Sequence, residues 1–118
     1  MNKYLEQLLE REVIARNEPA SMLVEGSKRC NGRLIVSSRR LIFICNGNEE
    51  PEVDIDLDTV NSIAHESEFV DHNILAITYL QYQVVRFTVI DCDMWEKTIE
   101  EQRMTAHIEP KFSIHSLN

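Results

Sequence analysis

Gly32-Arg33-Leu34-Ile35-Val36-Ser37-Ser38-Arg39-Arg40-Leu41-Ile42-Phe43 decides how the chain is read. Runs rich in Leu, Ile, Val and Phe lie on either side of the polar Ser38-Arg39 pair, which predicts one strand over residues 33–37 and another over 40–46. Just ahead of them Cys30-Asn31-Gly32 predicts a tight hairpin turn, because an Asn-Gly pair supplies the positive φ angles that such a turn needs. The strand before that turn runs from about Ala20 to Arg29. Towards the carboxy terminus, Gly47-Asn48 opens a polar loop that continues through Glu49, Glu50 and Pro51. In the fourth strand Val53, Ile55 and Leu57 alternate with Glu52, Asp54, Asp56 and Asp58, so one face is apolar and the other is a row of carboxylates in water. A fifth strand over about Val60–Glu66, a sixth over Ile74–Leu80 and a seventh over Gln83–Ile90 complete an antiparallel meander.

Helical spacing appears at both ends. Leu5, Leu8, Leu9 and Val13 recur with a helical period while Glu6, Glu10, Arg11 and Glu12 take the remaining surface, which predicts an amphipathic helix over residues 2–16 that stops before Pro19. Trp95, Ile99, Gln102 and Ala106 repeat the period behind Asp91 and Asp93, either of which can cap a second helix, from about Asp93 to Thr105. The domain reading is therefore an amino-terminal helix within residues 1–18, a barrel with its closing helix over 19–106, and a loosely held tail over 107–118. One pattern is unusual for an exposed barrel strand: Leu41, Phe43 and Cys45 share one face, Ile42 and Ile44 the other, and both faces are apolar. Something must cover the outer face, either the amino-terminal helix or a second copy of the chain.

A helix and strand meander closed by one helix resembles a pleckstrin-homology (PH) type barrel. The run from Gly32 to Phe43 is similar to the GRAM and bacterial PH-like families, whose second strand ends in Ser or Thr before a basic turn and a third strand opening on Arg-Leu. Val53-Asp54-Ile55-Asp56-Leu57-Asp58-Thr59-Val60-Asn61-Ser62-Ile63 resembles their passage from strand four to strand five, and Trp95 falls where such folds often place an aromatic. The resemblance covers roughly residues 20 to 105 and rests mostly on packing and turn signals. It implies a mainly β fold, a partly open barrel of seven antiparallel strands plugged by Trp95 and Ile99, and non-covalent binding as the working mode.

Composition narrows the function. A single 118-residue domain with 43% hydrophobic and 27% charged residues is neither disordered nor low in complexity. Its longest apolar run, Leu41 to Cys45, is far short of the ~20 residues needed to cross a bilayer. The charged start Met1-Asn2-Lys3-Tyr4-Leu5-Glu6 does not read as a secretory signal. A net charge of −8 argues against nucleic acid as a partner. Three cysteines, at 30, 45 and 92, suggest neither a disulfide framework nor a zinc site, and point to a reducing cytoplasm.

The candidate sites are few. Lys28, Arg29, Arg33, Arg39 and Arg40 gather around the first hairpin and the next turn, and PH-type domains that bind phosphoinositides use basic residues of their first hairpin; the resemblance thus implies an anionic head-group site as an alternative function. The plainer reading pairs these cations with Asp54, Asp56 and Asp58. Asp54-x-Asp56-x-Asp58 is not a calcium loop, since Thr59 stands where Gly is needed and His65 where a bidentate Glu should be. His65, His72, His107 and His115, with Glu66, Glu68 and Asp71, match no zinc spacing. Cys45 among isoleucines and Cys92 between Asp91 and Asp93 are poor nucleophiles, and no glycine-rich phosphate loop exists, so neither catalysis nor a cofactor is expected. What remains is sticky surface: Leu5, Leu8, Leu9 and Val13 of the first helix, Ile42 and Ile44 of the third strand, and Tyr79 and Tyr82 at the rim of the last hairpin. The expectation is a cytoplasmic, non-catalytic module that binds protein, including another copy of itself.

Overall fold

Leu34, Val36, Leu41 and Phe43 are fully buried, because β2 (Lys28–Ser37) and β3 (Arg40–Cys45) pair in the register Leu34 with Phe43 and Val36 with Leu41, which puts all four on one face. The computed structural model describes residues 3–24, 28–67 and 73–116, with side chains for all of these except Leu9 and residues 106–116. Around that hairpin lie α1 (Lys3–Leu9), β1 (Ile14–Val24), β4 (Val53–Asp56), β5 (Val60–Glu66), β6 (Ile74–Tyr79), β7 (Gln83–Thr88) and α2 (Cys92–Ser116), with a 3₁₀ turn at Leu57–Thr59 between β4 and β5. The strands form one antiparallel sheet in the order β4-β3-β2-β1-β7-β6-β5. Phe43 and Phe87 belong to strands far apart in that order, yet their ring centroids are 5.3 Å apart. The sheet is therefore rolled around a single core, to which every strand contributes: Ala20, Leu34, Leu41, Ile55, Val60, Leu75 and Phe87 all meet in it. This is a PH-like barrel with α2 as its stopper. No helix among the described residues is long and apolar enough to cross a membrane.

α2 begins at Asp91, whose Oδ1 accepts the Met94 N–H at 3.1 Å, and drives the fully buried Trp95 and Ile99 into the core. The indole N–H is not left unpaired: Trp95 Nε1 donates to Glu18 Oε1 at 3.0 Å, and Arg16 lies with its guanidinium carbon 5.8 Å from the ring centroid. Arg16 also donates through Nε to Thr98 Oγ1 at 3.2 Å and pairs with Glu18 at 2.6 Å. Farther along, Arg103 donates to the Val60 carbonyl at 2.8 Å, and His65 faces Glu96 at 2.9 Å. The helix thus runs beside β5, an edge strand, and covers backbone that would otherwise be open to pairing.

Four expectations are corrected here. The first helix ends at Leu9, and residues 14–19, read as helix or as its stop, belong to β1. The register shifts between Ile14 and Arg16, so Ile14 turns outward while Arg16 and Glu18 turn in towards α2; polar residues at inward positions hid the strand's period of two. Pro19 is tolerated because β1 pairs with β7 only at residues 21–23, leaving one edge of the strand open at the proline. Second, Asn31-Gly32 is not a turn. Both residues lie within β2, paired with Ser21 and Ala20 of β1, and the pairing continues to Lys28 opposite Val24. Gly32 is needed for space: a Cβ there would collide with the Ile44 carbonyl oxygen and come within 2.9 Å of Cys45 Cα. Gly32→Ala is expected to cost about 2 to 3 kcal/mol in urea unfolding, since backbone on the facing strand cannot step aside as a flexible side chain can. Third, α2 continues as helix from Thr105 to Ser116, through the segment expected to be a loose tail. Fourth, Cys30 and Cys45 form a disulfide with a Cα separation of 5.9 Å, against the expectation of unpaired thiols; the two residues are 15 apart in sequence and only the β2 to β3 register brings them together.

Candidate interaction surface

The basic cluster seen in the sequence is dispersed by the fold. Lys28 and Arg29 open β2 beside the first turn, whereas Arg39 sits in the turn after β2, about 30 Å of strand away. Arg33, on the outer face between them, donates through Nε to Asn17 Oδ1 at 2.7 Å and through a second nitrogen to the Asn17 carbonyl. Arg40 is held by Glu12 at 2.9 Å and by Asp54 at 3.3 Å, the second being one of the pairings expected with the acidic row. The turns after β1, β3 and β6 leave the same edge of the unrolled sheet. At that edge the loop after β3 exposes Glu49, Glu50 and Glu52, and Asp54 and Asp56 follow along β4 as it runs away from the edge. A phosphate approaching Lys28 and Arg29 therefore meets an acidic wall.

The amino-terminal helix covers the outer face of β3. Tyr4, Leu5 and Leu8 pack with Ile14 against Ile35, Ile42 and Ile44, so Leu5, Leu8, Ile42 and Ile44 are spent on an internal contact rather than offered to a partner. Leu9's side chain lies outside the described residues. Beneath the helix, Glu12 is buried and accepts from the Ser37 hydroxyl and from Arg40, while Ser37 Oγ in turn accepts the Arg39 and Arg40 backbone N–H groups. Tyr4 donates its hydroxyl to Asp54 at 2.8 Å, tying helix to β4. Burial, then Asp54, pushes the Tyr4 hydroxyl above its ordinary pKa. Burial alone would lower Arg40, but the Glu12 and Asp54 carboxylates hold it above its usual value.

Of the surface candidates, Tyr79 turns inward and packs on the main core, and Val13 is 75% exposed beside the turn after β2. The β6–β7 tip is different. Leu80 and Gln81 have φ of 50° and 73°, the left-handed region, with no glycine to ease it. That backbone is pinned from outside: the Leu80 N–H donates to the Thr59 carbonyl at 2.9 Å and the Gln81 N–H to Asn61 Oδ1. Leu80 is 59% exposed and Tyr82 86%, with the half-exposed Val84 beside them on β7. Leu80 escaped the sequence reading because a positive φ on a leucine leaves no mark in the residue types.

Groups with reactive chemistry are bound up elsewhere. Burial, reinforced by Asp93, Asp91 and Glu96, pushes the Cys92 thiol up, which disfavours a thiolate. His65 meets Asp93 and Glu96 rather than the carboxylates near it in sequence; the three donors lie within 4.8 Å of one another, and both ring nitrogens already face a carboxylate. His72, Glu68 and Asp71 lie outside the described residues, as do the side chains of His107 and His115. A shallow groove of about 400 Å³ runs past Pro19, Ser21, Asn31, Gly32, Asn46 and Ile90, where β7 leaves β1.

The rolled seven-stranded sheet and its stoppering helix define a PH-like fold. No family model matches the chain, nor does any curated protein sequence. Solved structures do. The C-terminal domain of an unknown protein from Leishmania infantum superposes with a TM-score of 0.71 at 17% identity, over 87% of this chain and 94% of that one. The DH/PH fragment of PDZRHOGEF in complex with human RhoA gives 0.67 at 12% identity over 86% of this chain, which spans only 32% of that fragment's chain. The Slm1-PH domain in complex with phosphoserine gives 0.57 at 6% identity, over 80% of this chain and 96% of that one. Identities this low establish shared fold and nothing of shared ligand.

Proposed function

We propose that this chain is a non-catalytic PH-like module that binds protein, another copy of itself included, through the β6–β7 tip. The narrower kinship with GRAM-like and bacterial PH-like domains, on the run from Gly32 to Phe43, and a cytoplasmic place of work belong to the same proposal. The observation that carries it is the tip itself: a leucine and a tyrosine stand 59% and 86% exposed on backbone held in a costly conformation. Two left-handed non-glycine residues cost on the order of 1 kcal/mol each, and strain of that kind persists where the geometry is used. Tyrosine suits such a use because it brings large contact area at small entropic cost. The alternative, an anionic head group on Lys28, Arg29 and Arg33, is disfavoured by the dispersal of the basic set and by Glu49, Glu50 and Glu52 at the same edge. Among the neighbours, RhoGEF DH/PH fragments occur with a protein, RhoA, and Slm1-PH with inositol-4-phosphate, so the fold is compatible with either partner class.

The test compares the full chain with Leu80→Ser/Tyr82→Ser, an exposed double change that leaves the core untouched. Affinity capture from the native cell and sedimentation at high micromolar concentration are expected to show a partner, or a dimer, that the double variant loses by at least about tenfold, as removal of two buried anchors implies. Capture and sedimentation unchanged by the double variant, together with vesicle binding that rises with phosphoinositide content at low salt, would replace the protein reading with the lipid one.

A further inference from the structure

Cys30 and Cys45 occupy a place that matters to the surface around them. Both lie on the inward side of the β2–β3 ladder, where Gly32 faces Cys45, and Cys30 stands two residues farther on, beside the chain leaving β3. The missing side chain at Gly32 lets the two backbones close together at Cys45, and so brings the second sulfur within reach of the first. Past that rung the regular ladder ends, and the strand ends are joined by one further backbone hydrogen bond, Asn46 N–H to the Asn31 carbonyl at 2.9 Å. Asn31 and Asn46, chain neighbours of the two cysteines, and Gly32, which faces Cys45, form one side of the 400 Å³ groove. Cys30 is half-buried and Cys45 buried, while Cys92 is buried in α2, away from the pair, with its thiolate disfavoured.

We propose that Cys30 and Cys45 are an oxidisable dithiol site, a latch whose closed form fixes the side of the groove formed by Asn31, Gly32 and Asn46 and whose open form releases it. At the cytoplasmic location proposed above, a disulfide is mostly transient and redox-sensing, and a pair at the end of the β2–β3 ladder, with Cys30 half-buried and its neighbour Asn31 lining the groove, fits reversible use. The co-reactant class is a small disulfide such as glutathione disulfide. The Cys30 thiolate, the more accessible, attacks one of its sulfurs and releases one glutathione thiolate. The Cys45 thiolate then attacks the Cys30 sulfur of the mixed disulfide, closes the latch and releases the second; two protein thiols are oxidised, one small disulfide is reduced, and two protons pass to solvent. The site is independent of the β6–β7 tip and holds whichever partner that tip meets.

The experiment equilibrates the full chain in glutathione buffers from reducing to oxidising, then unfolds it in an alkylating agent and counts modified cysteines by intact mass. The expected result is a single step from three alkylated cysteines to one in a chain that stays monomeric, retained in Cys92→Ser as a fall from two to none. Amide exchange at Asn46, whose N–H makes the bond to the Asn31 carbonyl, should slow in the oxidised form, by up to ~100-fold if exchange there requires the strand ends to part, as closing a loop of this length implies. Cys45→Ser should hold Cys30 as a glutathione adduct. Three alkylated cysteines in every buffer, thiols lost to linked dimers, or identical exchange at Asn46 in the two forms would each overturn the latch.

Discussion

Trp95→Ala is expected to lower the unfolding free energy by about 3 to 5 kcal/mol. The indole is fully buried between β1 and the main core, so the substitution removes its apolar contacts and opens a cavity that the rolled sheet can only partly collapse. It also removes the donor to Glu18 and the ring beside Arg16, uncoupling β1 from α2 at the point where the strand has already left β7. Stabilities of single domains lie near 5 to 15 kcal/mol, so a third or more of the total is at stake. Trp95 is the only tryptophan, so urea unfolding has to be followed by far-ultraviolet circular dichroism rather than fluorescence. A lower midpoint with an unchanged slope is the expected outcome; a loss below about 1 kcal/mol would mean that α2 does not stopper the barrel.

Arg40→Ala should cost about 3 kcal/mol, although Arg40 itself is partly exposed. The reason lies in its partner. Glu12's side chain is 4% exposed, and without Arg40 it would remain a buried carboxylate facing one hydroxyl, that of Ser37. Breaking a buried pair from one side costs more than replacing both partners, because the remaining charge loses its counter-charge without regaining water. Glu12→Gln/Arg40→Ala should therefore be more stable than Arg40→Ala alone, with a coupling of roughly 2 kcal/mol in a double-mutant cycle. The single change should also loosen α1, since Arg40 shares Asp54 with Tyr4. Equal losses from the single and double variants would show that the Glu12 charge is solvated and the network passive.

Where the chain's residues act through apolar periodicity, they were readable in advance. The two apolar faces of β3 required a cover on the outside, and α1 supplies it by laying Leu5 and Leu8 on Ile42 and Ile44. Trp95 and Ile99 one turn apart announced a buried helix face, and the alternation of Val53 and Ile55 with aspartates announced a strand with one wet side, although Leu57, read as its continuation, lies in the 3₁₀ turn. The failures share a different cause: each depends on a contact distant in sequence. Arg16 and Glu18 look like surface residues until Trp95 and Thr98 are placed beside them. Gly32 looks like a turn glycine until Ile44 is laid against it, and Cys30 and Cys45 look unrelated until the β2–β3 register joins them. The same holds for the surface. Tyr82 stands out by type, but Leu80 beside it is notable only through its backbone, and the five basic residues cluster only in a chain that turns at Gly32.

One measurement addresses the binding claim most directly: a photo-crosslinking residue in place of Tyr82, in the full chain, irradiated in its native cell, with the same residue at the exposed Glu101 on α2 as control. The account requires a discrete protein adduct at position 82, absent from position 101 and abolished by Leu80→Ser. Adducts of equal yield at both positions, or none at 82 where lipid is captured instead, would contradict it.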